Sequence, residues 1–207
     1  MARTADHDAR RRQMARAARD VALDEGLSGV TVASVARRAG VSVGLVQHYF
    51  SSKGALMQRV FVDLLADVDS RVATIVEQGE EEAASIREMA ALGLAELLPL
   101  DAARIRECQV RREFHALAAG DEGIAVVARD SDRAFRERLA GVVRNAQRCG
   151  EAASDVEPQR VAQQLWVTVV GIGATMLLDP SLSGTELLRD AVTSAFPHPC
   201  GRQWAVM

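Results

Sequence analysis

The chain has 207 residues, 48% hydrophobic and 26% charged, which is an ordinary composition for one or two small domains with a sizeable core. Its formal net charge of −3 argues against an architectural DNA protein, which would be basic overall. Three cysteines, Cys108, Cys149 and Cys200, are far apart and lack CxxC spacing, which argues against zinc ligation and a disulfide framework. We therefore expect no metal and no cofactor, with His198 and Cys200 forming a weak metal pair at most. The first twelve residues have no apolar core, so we expect no signal peptide and a reduced, cytoplasmic setting.

Charge is distributed unevenly along the chain. The first 60 residues contain ten basic and five acidic side chains, a net charge of +5, so the remainder carries −8. A basic N-terminal segment on an acidic body is typical of a polyanion-binding head on a soluble carrier. Nucleic acid is the polyanion that this pattern favours.

Residues that typically begin or end helices mark the bounds of the first four predicted helices. Helix one is predicted from Ala9 to Glu25, with an apolar face and Gly26 as its end. Thr31 is a good N-cap for helix two, which Gly40 closes after eight residues. Ser42 is placed to cap helix three, Val43 to Phe50, and helix four is predicted from Lys53 to about Glu77.

Two short helices joined by Gly-Val-Ser form a helix-turn-helix pattern. The glycine permits the sharp turn, Val41 fills the angle between the helices, and the serine starts the second of them. An ordinary helical hairpin has the same spacing. The charge asymmetry favours the DNA-binding alternative.

The rest of the chain is also predicted to be helical, with breaks at Gly and Pro positions and no convincing strand. The five further predicted helices are 84–98, 102–119, 123–149, 159–178 and 185–196. The longest uncharged run, Val161 to Leu178, barely reaches the length of a membrane span and contains Gln163 and Gln164. It predicts a buried or interface helix, so we expect no membrane association. The sequence therefore predicts an all-α fold of about nine helices.

One stretch is more specific than these patterns. The run TVASVARRAGVSVGLVQHYFSSKGAL, Thr31 to Leu56, resembles the DNA-binding signature of the TetR family of transcriptional regulators. The matched elements are the Thr, the spaced hydrophobic residues, Ala-Gly-Val-Ser, a Gly, an aromatic cluster ending in Phe, and Ser-Lys followed by Leu. The resemblance covers about the first sixty residues. It implies a helix-turn-helix DNA-binding domain over 1–52, a helical effector-binding and dimerisation domain over 53–196, and an irregular tail over 197–207.

The resemblance also implies which residues contact DNA. The third helix would lie in the major groove, with four residues nearest the bases and the others on phosphates. Gln47 stands where the family usually has Tyr, so it either binds a phosphate or reads an adenine. Thr31 and Ser42 also act as caps, Tyr49 is otherwise a half-buried packing residue, and His48 is otherwise solvated. The predicted DNA-binding residues are Thr31, Ser42, Val43, Gly44, Gln47, His48, Tyr49 and Lys53.

One such head reads only a few base pairs, so we expect a homodimer on a palindromic operator, with half-sites about 34–36 Å apart or a multiple of that distance. The resemblance implies dimerisation through the last two helices, packed as a four-helix bundle with their mates. The predicted interface stripe is Trp166, Val170, Gly173 and Leu177. The alternative is that this stripe packs inside its own subunit.

Members of the family commonly bind a small molecule among helices four to eight, which releases DNA. Residues at this helical spacing are also typical of plain core, and Arg112 and His115 either orient a polar ligand group or pair with acids such as Glu113. The predicted ligand-binding residues are Met89, Leu92, Cys108, Arg112, His115, Leu165, Val169 and Met176. An apolar pocket would suit a hydrophobic effector.

The function predicted from the sequence is thus a cytoplasmic, homodimeric, DNA-binding repressor released from its operator by a small hydrophobic ligand. The closer alternative is a ligand-independent regulator or an activator with the same head. An enzyme is not expected, because the sequence contains no HExxH, GxSxG, Gly-rich phosphate loop or zinc spacing.

Overall fold

The structure, a computed structural model, describes residues 2–200, with side chains from residue 7 onward. The described residues form nine helices and no strand, which confirms the predicted all-α class. Residues 201–207 of the predicted tail lie outside the described part, and 197–200 are irregular. The helices are α1 Ala2–Gly29, α2 Val32–Ala39, α3 Val43–Tyr49, α4 Lys53–Glu81, α5 Ile86–Ala95, α6 Ala102–Ala118, α7 Glu122–Cys149, α8 Pro158–Met176 and α9 Gly184–Ala195.

The chain divides into two compact units. The N-terminal unit contains the residues up to Asp67 together with Gln109–Ala128. The C-terminal unit contains Val68–Cys108 and the residues from Arg129 onward. Helices α4, α6 and α7 therefore each contribute residues to both units.

Helix α1 provides one wall of the N-terminal core. Its predicted apolar face, formed by Met14, Ala17, Ala18, Val21 and Ala22, is buried. Helical geometry breaks at Gly26 as predicted, because this residue adopts φ 75°, a left-handed conformation that favours glycine. The helix starts at Ala2 and not at Ala9, since no glycine or proline interrupts the first residues.

A stacked aromatic pair lies at the centre of the N-terminal unit. The rings of Phe61 on α4 and Phe114 on α6 are nearly parallel, with centroids 3.9 Å apart. Both side chains are almost completely buried. His115 packs its edge against the Phe61 ring at 5.6 Å. The residue before Phe114 in α6 is Glu113, whose carboxylate accepts a hydrogen bond from the backbone N–H of Leu27 at 2.6 Å. The end of α1 is thereby fixed to α6.

The C-terminal unit contains a fully buried carboxylate. Glu151 follows α7, where Gly150 at φ 88° reverses the chain. The Glu151 carboxylate accepts hydrogen bonds from the backbone N–H groups of Ile86 and Arg87, both at 2.8 Å, and so caps the N-terminus of α5. Burial, together with the neighbouring Glu151 carboxylate and Cys200 thiol, raises the pKa of the Cys149 thiol to about 11. Cys149 is therefore protonated at neutral pH.

Helix α8 is packed within the C-terminal unit on one side only. Val161, Leu165 and Val169 are buried, whereas Val167 and Val170 are exposed. None of the helices in the described part of the chain combines the length and apolar character needed to cross a membrane. The uncharged run Val161 to Leu178 covers most of this helix and is partly core, in agreement with the predicted buried or interface helix.

Candidate nucleic-acid interface and ligand cavity

The turn between α2 and α3 is built by local hydrogen bonds. At the start of α2 the Thr31 hydroxyl accepts from the Ser34 N–H at 3.0 Å, while the Thr31 N–H donates to the Ser34 hydroxyl at 2.9 Å, which completes a capping box. At its end Gly40 adopts φ 67°, and the Val41 N–H donates to the Ala36 carbonyl at 3.0 Å. This left-handed closure gives the sharp turn that the sequence predicted.

Helix α3 has one buried and one exposed side. The Ser42 hydroxyl caps it by accepting from the Leu45 N–H at 3.2 Å. Val46 is buried in the N-terminal core, and Leu45 packs against that core. The residues left exposed include Val43, Gly44, Gln47 and His48. Positions i, i+1, i+4 and i+5 of a helix lie on one side, so these four predicted base-reading residues share a face.

Gly44 has no packing role that the structure reveals. A Cβ added at this position would meet no described atom within 4 Å. A glycine in a helix interior is destabilising relative to alanine by roughly 0.5–1 kcal/mol. The exposed face of α3 therefore contains a bare patch of backbone that an outside partner can approach closely.

Tyr49 and Lys53 flank this face. Tyr49 is half-buried against the N-terminal core, and its ring contacts His48 edge-on at 5.3 Å and His7 of α1 at 4.6 Å. His7 was not among the predicted residues, because nothing in the sequence pattern connects it with a tyrosine 42 positions later. Lys53 is exposed at the first residue of α4, whose N-terminus is capped by the Ser52 hydroxyl accepting from the Ala55 N–H at 3.1 Å. A lysine beside a helix N-terminus suits a phosphate.

Several α1 and α2 side chains line a second feature of the N-terminal unit, a surface depression of about 400 Å³. Its cationic residues are Arg12, Arg16 and Arg38. Arg38 forms an ion pair with Asp24 at 2.8 Å, which neutralises part of this charge. The Gln13 amide donates to the Ala39 carbonyl at 2.9 Å and joins α1 to the end of α2.

The C-terminal unit encloses a cavity of about 430 Å³ between residues of α4, α5 and α7. Most of its lining is apolar, and its polar lining includes Asp69 and Arg138, which form an ion pair at 2.9 Å. The Arg138 guanidinium also lies over the Phe135 ring, 5.6 Å from its centroid. The apolar lining residues are Val72, Val76, Ala84, Ile86, Met89, Ala90, Gly93, Leu94, Phe135, Leu139 and Val142.

Of the eight predicted ligand-binding residues, Met89 alone lines this cavity. Leu92 is exposed on α5, and Leu165 and Val169 are buried in the C-terminal core. The Cys108 thiol is buried and donates to the Gly173 carbonyl at 3.9 Å. Met176 packs against Gly184, at the start of α9. The remaining two, Arg112 and His115, belong to the N-terminal unit.

The four predicted interface residues also differ in their surroundings. Val170 is exposed on α8 and Leu177 is half-exposed just after it. Trp166 packs against Phe135, with ring centroids 4.7 Å apart. Gly173 is buried, and a Cβ there would contact Leu97 and Leu98 of the same unit. The structure therefore leaves the outer part of the stripe accessible and packs Gly173 inside the subunit.

Comparison with known proteins agrees with this geometry. Residues 15–60 match the profile of bacterial regulatory proteins of the tetR family, and residues 86–198 match that of the BetI-type transcriptional repressor, C-terminal. The HTH-type transcriptional regulator PksA of Bacillus subtilis (strain 168) is 26% identical over 181 residues, covering 87% of this chain and 84% of PksA.

Solved structures show the same fold. A transcriptional regulator from Rhodococcus sp. Rha1 has 29% identity and a TM-score of 0.72, covering 90% of this chain and 94% of that one. A regulator from Saccharomonospora viridis, solved in complex with choline, has 18% identity and a TM-score of 0.71, covering 92% and 96%. The second profile match spans more than half of the chain, and the first contains the α2–α3 turn. The chain therefore belongs to the TetR family and is a DNA-binding transcriptional regulator.

Proposed function

We propose that this regulator is a cytoplasmic homodimer that represses transcription from a palindromic operator and is released by a small hydrophobic ligand. In this proposal residues 1–52 bind DNA, and 53–196 bind the effector and form the dimer. The observation that supports it most is the exposed face of α3, where Gly44 leaves backbone open beside Val43 and Gln47. Thr31, Ser42, Tyr49 and Lys53 would hold the flanking phosphates.

The experiment that tests this proposal is selection of bound duplexes from a random DNA pool with the purified protein. Recovery of a palindrome would support the homodimer, and its half-site spacing would give the distance between the two heads. Repeating the selection with Gln47→Ala would show whether Gln47 reads a base, which relaxes the preference at one half-site position, or binds a phosphate, which weakens every site equally. Failure of a folded protein to enrich any sequence would contradict the proposal.

Replacing Gly44 with alanine should separate stability from DNA binding. The added methyl group meets no described atom, so we expect the free energy of unfolding to rise by about 0.5–1 kcal/mol. The same methyl group would keep the helix backbone from the groove, so operator affinity should fall by about tenfold or more, equivalent to ~1.4 kcal/mol. Thermal unfolding and fluorescence anisotropy on the selected operator measure the two effects.

Gly141→Ala is the matched control for this change. Gly141 lies inside α7, where a Cβ would meet only the end of the Arg144 side chain, at 3.8 Å. We expect this variant to gain similar stability and to bind the operator like the parent. If Gly44→Ala bound the operator with unchanged affinity, the proposal that α3 contacts DNA at Gly44 would be contradicted.

The proposed dimer surface is the exposed apolar side of α8 and α9. Val167 and Val170 on α8 and Leu187 on α9 are exposed, and the two helices pack against each other within the subunit. Exposed apolar side chains grouped on adjoining helices are typical of a protein interface. This surface belongs to the helices that the resemblance implied.

Replacing Val170 with aspartate should shift the protein from dimer to monomer, because a charge would be buried without a partner at the interface. Size-exclusion chromatography with light scattering at several concentrations measures this shift. The control is Val62→Asp on α4, since Val62 and Val170 are both 46% exposed. We expect Val62→Asp to remain dimeric. A dimer that tolerates Val170→Asp would place the interface elsewhere.

The proposed effector site is the cavity of the C-terminal unit, and its mostly apolar lining favours a hydrophobic ligand. The choline complex of the Saccharomonospora viridis regulator makes choline a useful comparison ligand. Quaternary ammonium groups are typically held by several aromatic faces. Among the residues that the structure describes, Phe135 is the one aromatic residue that lines this cavity, and Arg138 lies over its ring. We therefore expect hydrophobic compounds, and not choline, to release the operator.

A screen in which no compound shifts operator binding would favour the ligand-independent alternative. A reporter with the operator upstream of a promoter distinguishes repression from activation.

A further inference from the structure

The lining of the C-terminal cavity includes two thiols and a carboxylate that the chain brings together from distant positions. Cys149 is the last residue of α7, Glu151 lies two positions further on, and Cys200 lies 51 residues after Cys149. Their ligand atoms, the two Sγ atoms and a carboxylate oxygen, all lie within 4.8 Å of one another. All three residues line the cavity. The DNA-binding function does not use this cluster.

We propose that Cys149, Glu151 and Cys200 form a binding site for a thiophilic divalent cation of the Zn²⁺ class. Two sulfurs and one carboxylate oxygen are a donor set that selects such ions over Mg²⁺ or Ca²⁺. In a tetrahedral site with Zn–S bonds of about 2.3 Å and Zn–O bonds of about 2.0–2.2 Å, a sulfur and an oxygen ligand are about 3.5–3.7 Å apart. The Cys149 Sγ to Glu151 Oε1 distance is 3.4 Å, so this pair already has the spacing of two ligands on one ion.

The backbone around the cluster holds the three side chains in place. The left-handed Gly150 turns Cys149 and Glu151 toward the same point, and the Glu151 N–H donates to the Ala146 carbonyl at 2.8 Å. The His198 N–H donates to the Glu151 carbonyl at 3.1 Å and returns the C-terminal segment, with Cys200, to this site. Fixed surroundings of this kind orient ligands before an ion binds.

The charge of the site also favours a cation. Glu151 is 0% exposed. Among the residues that the structure describes, its carboxylate is bonded to the Ile86 and Arg87 backbone N–H groups and the Cys149 thiol, with no ion pair to a basic side chain. Arg87 directs its guanidinium to the Phe196 carbonyl at 3.5 Å. Within residues 7–200, therefore, no basic side chain pairs with this buried carboxylate, and a divalent ion would supply a full positive charge.

Cobalt titration of the purified, full-length protein tests the site. The protein is treated with a chelator, reduced with a phosphine and titrated with Co²⁺, whose thiolate complexes absorb in the near ultraviolet. We expect one Co²⁺ per chain with thiolate absorption, displaced by Zn²⁺. Cys149→Ser and Cys200→Ser should each weaken Co²⁺ binding by about tenfold or more and reduce the thiolate absorption.

Cys108→Ser is the matched control, because Cys108 is a buried cysteine of the same unit whose thiol donates to the Gly173 carbonyl. We expect it to bind Co²⁺ like the parent. Circular dichroism checks each fold, and if Cys149→Ser does not fold, Cys200→Ser decides, because Cys200 is only half-buried. Absence of Co²⁺ binding in the parent, equal binding by Cys200→Ser, or loss of thiolate absorption in Cys108→Ser would each overturn the proposal.

Discussion

Replacing Phe114 with alanine is expected to lower the free energy of unfolding of the N-terminal unit by about 3–5 kcal/mol. The side chain is 0% exposed and stacks on Phe61 at 3.9 Å, so its removal loses the burial of a ring and leaves a void next to the second ring. Because α3 packs on the same core through Val46, operator binding should weaken at temperatures where the parent is still folded. Thermal unfolding followed by circular dichroism, with anisotropy on the operator, measures both effects.

Phe114→Leu separates the two causes of this loss. Leucine keeps most of the buried apolar surface but not the aromatic stacking, which contributes about 0.5–1.5 kcal/mol beyond burial. We therefore expect a loss of less than half that of Phe114→Ala. If the free energy of unfolding of Phe114→Ala were within about 1 kcal/mol of the parent value, the stacked pair would not be the main source of this unit's stability.

The helix-turn-helix could be predicted in detail because its determinants are local. Thr31 and Ser42 bond to N–H groups three residues later, and Gly40 adopts a conformation that few other residues adopt easily. Such caps can be recognised in a short window of sequence. The apolar face of α1 was predictable for the same reason, since helical periodicity identifies the buried side of one helix.

Periodicity could not show which residues line the cavity. Helical spacing marks inward-facing positions, but it does not say which core they face. Helix α6 contains Cys108, Arg112 and His115, but Cys108 belongs to the C-terminal unit, whereas Arg112 and His115 belong to the N-terminal unit. The cluster of Cys149 and Cys200 was missed for a related reason, since the two thiols meet only through the tertiary fold. Zinc-site signatures in a sequence contain pairs of Cys or His a few residues apart, whereas Cys149 and Cys200 are 51 positions apart.

Replacing Glu151 with glutamine is expected to lower the free energy of unfolding of the C-terminal unit by about 2–4 kcal/mol. The carboxylate accepts from the N–H groups of Ile86 and Arg87 at 2.8 Å each and is fully buried. A glutamine oxygen can accept from one of them, but its NH₂ group then faces the other donor. One N–H at the start of α5 is left without a partner in the interior. Thermal unfolding of chelator-treated protein, in which no bound ion contributes, should show a midpoint about 5–10 °C lower.

Glu157→Gln provides the control, because the Glu157 carboxylate also accepts two backbone N–H hydrogen bonds at the start of a helix but is exposed to solvent. Its carboxylate accepts from the N–H groups of Gln159 at 3.0 Å and Arg160 at 2.6 Å at the start of α8, but the side chain is exposed. Water can replace the lost acceptor there, so we expect a change within about 1 kcal/mol of the parent. Equal losses in the two variants would mean that the hydrogen bonds alone determine the effect. A larger loss of unfolding free energy for Glu151→Gln would assign the difference to burial, because both substitutions replace a carboxylate that accepts two backbone N–H bonds at a helix N-terminus.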